Sequence, residues 1–168
     1  MRPEPPRGIR NYNPGNIRHA QSIRWQGAAP IQTDSQFTQF INPRWGIRAI
    51  ARVLITYQDK RRAADGSPID TVREIIERWA PPSENNTDAY VISVARALGL
   101  DPDVASVDVY DFEIMRAMVT VIIRHENGAG PLPGGRWYGD AIIADGLSLA
   151  GIERGIVHGQ FKGAAAWG

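Results

Sequence analysis

Residues 8–34 are a run of turn formers, Asn11-Tyr-Asn-Pro-Gly-Asn16 and then Trp25-Gln-Gly27, in which neither a 3.6- nor a 2.0-residue period is sustained. Such a stretch cannot supply a bundle helix or a sheet strand. It has to be laid as an irregular loop over a core built elsewhere, and a loop this long inside a compact chain is as a rule functional. With 17 glycines and 12 prolines in 168 residues, the sequence favours short elements joined by specified turns over a long helical bundle.

Helical punctuation begins after that loop. Asn42-Pro43 reads as a cap followed by proline at the first helical position, with Ile47, Ile50, Ala51 and Leu54 as the apolar stripe. A second helix is expected over residues 70–79, with Val72, Ile75, Ile76 and Trp79 inward, stopped by Pro81-Pro82. Ser83-Glu84-Asn85-Asn86 is then a stiff loop before Asn86 or Thr87 caps a third helix, which carries Val91, Val94, Ala95 and Leu98 inward and ends at Gly99. A fourth is expected over residues 111–124, with Met115, Met118, Val119 and Ile122 on one face, and a last helical segment over 140–155. Residues 1–7 read as a Pro-rich flexible arm unable to nucleate a helix, and residues 156–168 as a Gly- and Ala-rich tail. The expectation is one mainly α domain over residues 1–168, with a long N-terminal loop region and little β structure.

The chemistry can be narrowed by elimination. No cysteine is present, so disulfides, thiolate nucleophiles and sulfur-based zinc sites are excluded. His19, His125 and His158 are scattered and form no helical pair spaced for zinc, so no metal or other cofactor is expected. No phosphate-binding glycine loop precedes a lysine, and there is no serine elbow. The longest uncharged apolar run, residues 117–123, is too short to span a bilayer, and Arg10, Arg18 and Arg24 interrupt every apolar stretch of the first 30 residues, so no secretory leader is expected. The net charge of +1 conceals 11 basic and 3 acidic groups in residues 1–62 against 5 and 12 in residues 63–126. Trp25 and Trp45 lie near arginines, but the spacing matches no nucleic-acid module, and nucleic acid is not an expected partner.

Carboxylates remain. Of the seven glutamates, Glu4 and Glu153 are peripheral, Glu74 and Glu77 lie off their helix's stripe, and Glu113 complements a helix N-terminus. Glu126 falls 4, 7 and 11 residues after Ile122, Val119 and Met115, on the inward face of the fourth helix where Asn127-Gly128 opens the chain. Desolvation there raises a carboxyl's pKa, as a general acid working near neutral pH requires. The competing reading is a structural carboxylate tied to Arg124 or a backbone amide. Glu84, with Asn85, Asn86 and nearby Tyr90, could recognise a sugar or peptide, or could simply mark the entry to the third helix.

Six separated motifs carry a resemblance. They are Arg7-Gly-Ile-Arg-Asn-Tyr-Asn-Pro-Gly-Asn-Ile17, Trp25-Gln-Gly27, Phe37-Thr-Gln-Phe40, Gly46-Ile-Arg-Ala49, Arg78-Trp-Ala-Pro-Pro-Ser-Glu-Asn-Asn-Thr87 with Tyr90, and His125-Glu-Asn-Gly128. In this order they resemble the phage virion-associated murein hydrolases typified by the lytic enzyme of enveloped double-stranded RNA phages. The resemblance spans residues 7–151 and implies a lysozyme-like, lytic-transglycosylase-like fold acting on peptidoglycan. It implies Glu126 and Glu84 as catalytic candidates, and Asn13, Asn16, Trp25, Asn85, Tyr90, His125 and Asn127 along the substrate. Asn13-Pro-Gly-Asn-Ile17 with Trp25-Gln-Gly27 also looks like elements that follow the catalytic glutamate in bacterial glucosaminidases. Here His125-Glu-Asn-Gly128 comes later in the chain instead, so a circular permutation is inferred that brings Glu126 beside the 13–17 loop.

Three activities stay open: cleavage of the glycan β-1,4 bond, endopeptidase cleavage of the peptide crosslink, and non-catalytic binding of cell-wall glycan by a virion protein. A monomer is expected, located in a virion or in the host cytoplasm before release to the periplasm. Other virion proteins or a holin-like partner would then give it access to the wall.

Overall fold

The computed structural model describes residues 2–155. Six α-helices carry the chain: α1 Arg7–Arg10, α2 Pro43–Lys60, α3 Val72–Trp79, α4 Thr87–Leu98, α5 Phe112–Asn127 and α6 Asp140–Leu149, with a 3-10 turn at Pro133–Gly135. Isolated bridges such as Arg18 with Phe37 and Ala28 with Phe40 are the β structure of the described residues. None of the helices described is long and apolar enough to cross a membrane.

The helices begin where side chains can satisfy their free amides. Asn42 Oδ1 accepts from Arg44 N at 2.9 Å. Thr71 and Glu74 form a reciprocal capping box, so α3 starts at Val72 rather than at Asp70. Asp111 accepts from Ile114 N at 3.0 Å, capping α5 from outside.

Three other boundaries differ from expectation for identifiable reasons. The helix α5 runs one turn further than Arg124, through Asn127, because Gly128 takes a positive φ of 76° and closes it with its N–H on Arg124 O. By contrast α6 stops at Leu149: Gly151 turns left-handed (φ 90°), and Ile152, fully buried, donates from its backbone to Leu147 O at 2.9 Å. In the N-terminal arm the chain is anchored from Pro6 onward, since Pro6 O accepts from Ile9 N and Arg10 N, each at 3.0 Å, and opens α1. Arg7 therefore belongs to the folded body and not to an arm. The tail at residues 156–168 and Met1 lie outside the described residues.

Packing follows the apolar stripes. Helix α2 lies against α6 and α4 against both α3 and α5, burying Ile47, Leu54, Ile76, Val94, Met118 and Leu147 in one continuous cluster. The N-terminal loop is seated on this body at Gly46, where a Cβ would come within 2.0 Å of Tyr12 O. Backbone contact that close requires glycine.

Candidate active site

The N-terminal loop owes its shape to polar side chains turned inward. Arg7 grips Asp34 through Nε and Nη2, each at 2.6 Å. Asp34 also accepts from Asn11 Nδ2 and from the backbone amides of Gln36 and Phe37, all at 2.9 Å. These donors, the Arg7 guanidinium first among them, hold its carboxyl far below the usual range. Asn13, with no exposed surface, donates to Ile17 O at 2.9 Å and Thr38 O at 2.8 Å and accepts from Ile17 N at 3.0 Å. Every polar group of its side chain is thus committed within the loop, and Asn13 is a scaffold residue rather than the substrate contact expected.

This loop delivers Asn16 to the end of α5. Asn16 sits in the left-handed region at φ 48°, a conformation asparagine tolerates better than most residues. Its Nδ2 donates to Glu126 Oε2 at 3.2 Å. From the other side Trp79, the last residue of α3, donates Nε1 to Glu126 Oε1 at 3.3 Å. The half-buried carboxyl therefore has one donor on each oxygen. Burial nevertheless pushes the Glu126 pKa up, with the Asn16 and Trp79 bonds pulling the other way, and the C-terminal end of α5 also disfavours negative charge.

Glu126 opens into a cleft of about 370 Å³ whose walls include Asn16, Phe37, Tyr57, Trp79, Glu84 and Asn85. Among the described residues, Glu84 and Glu126 are its two carboxylates. Glu84 is exposed on the rim, and Asn85 is fixed beside it by a 3.3 Å bond from Nδ2 to Pro81 O.

The remaining expected contacts are placed differently. Tyr90 is buried and its ring stacks on His125, with centroids 4.0 Å apart and planes at 10°. Buried as it is, the ring offers no face to a sugar, and burial, with the Glu126 charge next, drives its phenol far above its usual range. His125 itself is exposed toward a separate depression shared with Arg96 and Arg124. Burial and the Arg124 charge lower its pKa. Asn127 is buried and donates to Pro14 O and Ile123 O, each at 2.8 Å, tying loop to helix. Trp25 lines a neighbouring groove with Arg48 and Arg52, not the Glu126 cleft. Of the set expected along the substrate, Asn16 and Asn85 therefore share the cleft with Glu126 and Glu84.

Two contributors escaped the sequence. Trp79 reads there as one more member of an apolar stripe, and only the fold shows its indole edge meeting the acid. Asp34 carries no motif; its proximity to Phe37-Thr-Gln-Phe40 is the one available signal.

No protein-family model matches the chain. Protein P5 of Pseudoalteromonas phage PM2 is 35% identical over 130 residues, covering 76% of this chain and 75% of that protein. The chain belongs to the family of phage protein P5. In this P5-family chain the cleft joins a desolvated carboxyl, two fixed donors and an open polar rim. Such a set favours the protonated acid more than an exposed glutamate does, and an acid so placed can give a proton to a bound oxygen and take it back.

Proposed function

We propose that the chain is a phage peptidoglycan-cleaving enzyme that breaks the β-1,4 bond between N-acetylmuramic acid and N-acetylglucosamine, with Glu126 as general acid and base. The observation carrying this reading is the raised pKa of Glu126 inside a cleft of about 370 Å³ that it shares with Asn16, Glu84 and Asn85. Glu126 gives its proton to the leaving glycosidic oxygen. The muramyl C6 hydroxyl then attacks C1 while Glu126, now the base, takes the hydroxyl proton, so that the acid is regenerated and the product is a 1,6-anhydro sugar. No water is consumed in this course.

The alternative, two-carboxylate hydrolysis, would need a second acid set opposite the first. Glu84 is the one other carboxylate lining the cleft, and it lies exposed on the rim rather than held by fixed donors, which favours the single-acid course and gives Glu84 the role of orienting the sugar. On this reading the domain is lysozyme-like in permuted order, with the acid following rather than preceding the Asn16 loop. Delivery to the wall would come from the virion or from a holin-like partner. Zymography tests the reading: the wild-type protein clears a murein gel and Glu126→Gln does not. Clearing by both would transfer the catalytic role elsewhere, and clearing by neither would leave a wall-binding virion protein.

A further inference from the structure

Beside the Glu126 cleft, and sharing Val53 and Tyr57 with it, runs a groove of about 440 Å³ whose walls carry Arg24, Arg48, Arg52 and Arg61 and, among the described residues, no acidic one. Among the described residues none of these four guanidiniums has a carboxylate within 4 Å, whereas Arg7, Arg10 and Arg44 each have one. Arg48 is 9% exposed and is held by a 3.3 Å bond from Nε to Leu149 O, the end of α6. Burial and the neighbouring Arg52 both lower its pKa. A fifth guanidinium, Arg78, lies 5.5 Å over the ring of Tyr57, the residue that both cavities share. Trp25 forms a wall, its indole N–H buried with no acceptor.

Uncompensated like charges drawn together, one of them nine-tenths buried, are an unfavourable arrangement unless an anion completes it. Arginine forks match carboxylates in pairs. We propose that this groove is a subsite for the carboxylates of the stem peptide carried by the sugar strand in the Glu126 cleft. The ligand's identity rests on the peptidoglycan reading above, whereas the charge of the groove does not. The continuity of the two cavities is what selects a peptide over a nucleic acid or a lipid surface: a substituent branching from a strand in the first cavity enters the second across Tyr57. The arginines would then set which muramyl residue is presented for cleavage, because an unsubstituted strand would leave them unpaired.

Calorimetric titration of the full chain with free stem tetrapeptide, L-Ala-D-Glu-diaminopimelate-D-Ala, tests this. Binding is expected, with a loss of tenfold or more when the peptide's carboxyls are amidated and again in Arg24→Gln/Arg52→Gln. Arg52→Lys, which keeps the charge without the fork, is expected to retain part of the affinity, and thermal midpoints measured alongside show that each variant is folded. No binding of the tetrapeptide, equal binding of its amidated form, or equal affinity in the folded double variant would each overturn the proposal. So would duplex DNA or phosphatidylglycerol vesicles binding through the same arginines while the peptide does not. The titration reads binding alone, so murein clearing by Glu126→Gln would refute the catalytic reading and leave this result standing.

Discussion

Asn16 Nδ2 lies 3.2 Å from Glu126 Oε2 across 110 residues of sequence. The acid on α5 is therefore positioned by a loop from the other end of the chain, with Trp79 of α3 completing the grip at 3.3 Å. Three segments without sequence continuity meet on one carboxyl, and each can be perturbed separately.

Trp79→Phe keeps the ring packing and removes the indole donor. Since that bond favours the charged carboxylate, the Glu126 pKa rises further and the alkaline limb of kcat moves to higher pH. Asn16→Ala removes the other donor and frees the side chain. A displaced acid costs on the order of a hundredfold in turnover, measured as initial clearing rate with little change in substrate affinity.

The same shift predicts a stability signature. A carboxyl whose folded pKa is raised binds its proton more tightly in the native state. Its contribution is complete below the unfolded value of about 4.3 and is lost as pH rises through the folded value. Glu126→Gln, which cannot ionise, is thus at least as stable as wild type at pH 7, and the difference shrinks toward pH 4. Thermal melts at the two pH values check this; a variant clearly less stable at pH 7 would mean that Glu126 is a structural carboxylate.

Gly8→Ala probes the junction of loop and helix. A Cβ at residue 8 would sit 2.5 Å from Asn127 Oδ1 and 2.7 Å from Asn16 Oδ1, so both side chains must move. Overpacking of this kind costs about 1–3 kcal/mol, read as a lower denaturation midpoint. Because Asn16 is one of the displaced groups, activity per folded molecule also falls.

Much of this arrangement was legible in order, and part of it in partnership. The Asn42-Pro43 start of α2 and the inward stripe of α5 are local patterns, and the stripe alone places Glu126 at a half-buried helix end. The order of the motifs also implied that Glu126 meets the 13–17 loop, and Asn16 does reach it; other roles that depend on distant partners were not legible. Asn13 has the composition of a turn residue, yet its ties to Ile17 O and Thr38 O make it the loop's internal strut. Tyr90 has the look of a sugar platform, and burial against His125 removes it from the surface. The α6 terminus depended on Ile152 folding back into the core, a contact that no run of helix formers announces.

Asp34 makes the loop acid-sensitive. Its folded pKa is depressed by the Arg7 guanidinium and its other donors, so the stability it confers is present above the unfolded value of about 3.9 and is lost as pH falls below it. Asp34→Asn removes that contribution at neutral pH. Limited proteolysis at pH 7 is expected to cut the variant within residues 8–34 faster than wild type, while wild type becomes comparably sensitive only in acid. Equal cleavage of both at pH 7 would show that the Arg7 grip does not order the loop.

Mass spectrometry of the soluble products from purified Gram-negative sacculi, digested by wild type and by Glu126→Gln side by side, tests the central claim most directly. Wild type is expected to release 1,6-anhydromuropeptides, with a fall of roughly a hundredfold to ten-thousandfold in the variant. Free peptides with intact glycan strands, or the same anhydro products at the same rate from Glu126→Gln, would contradict it.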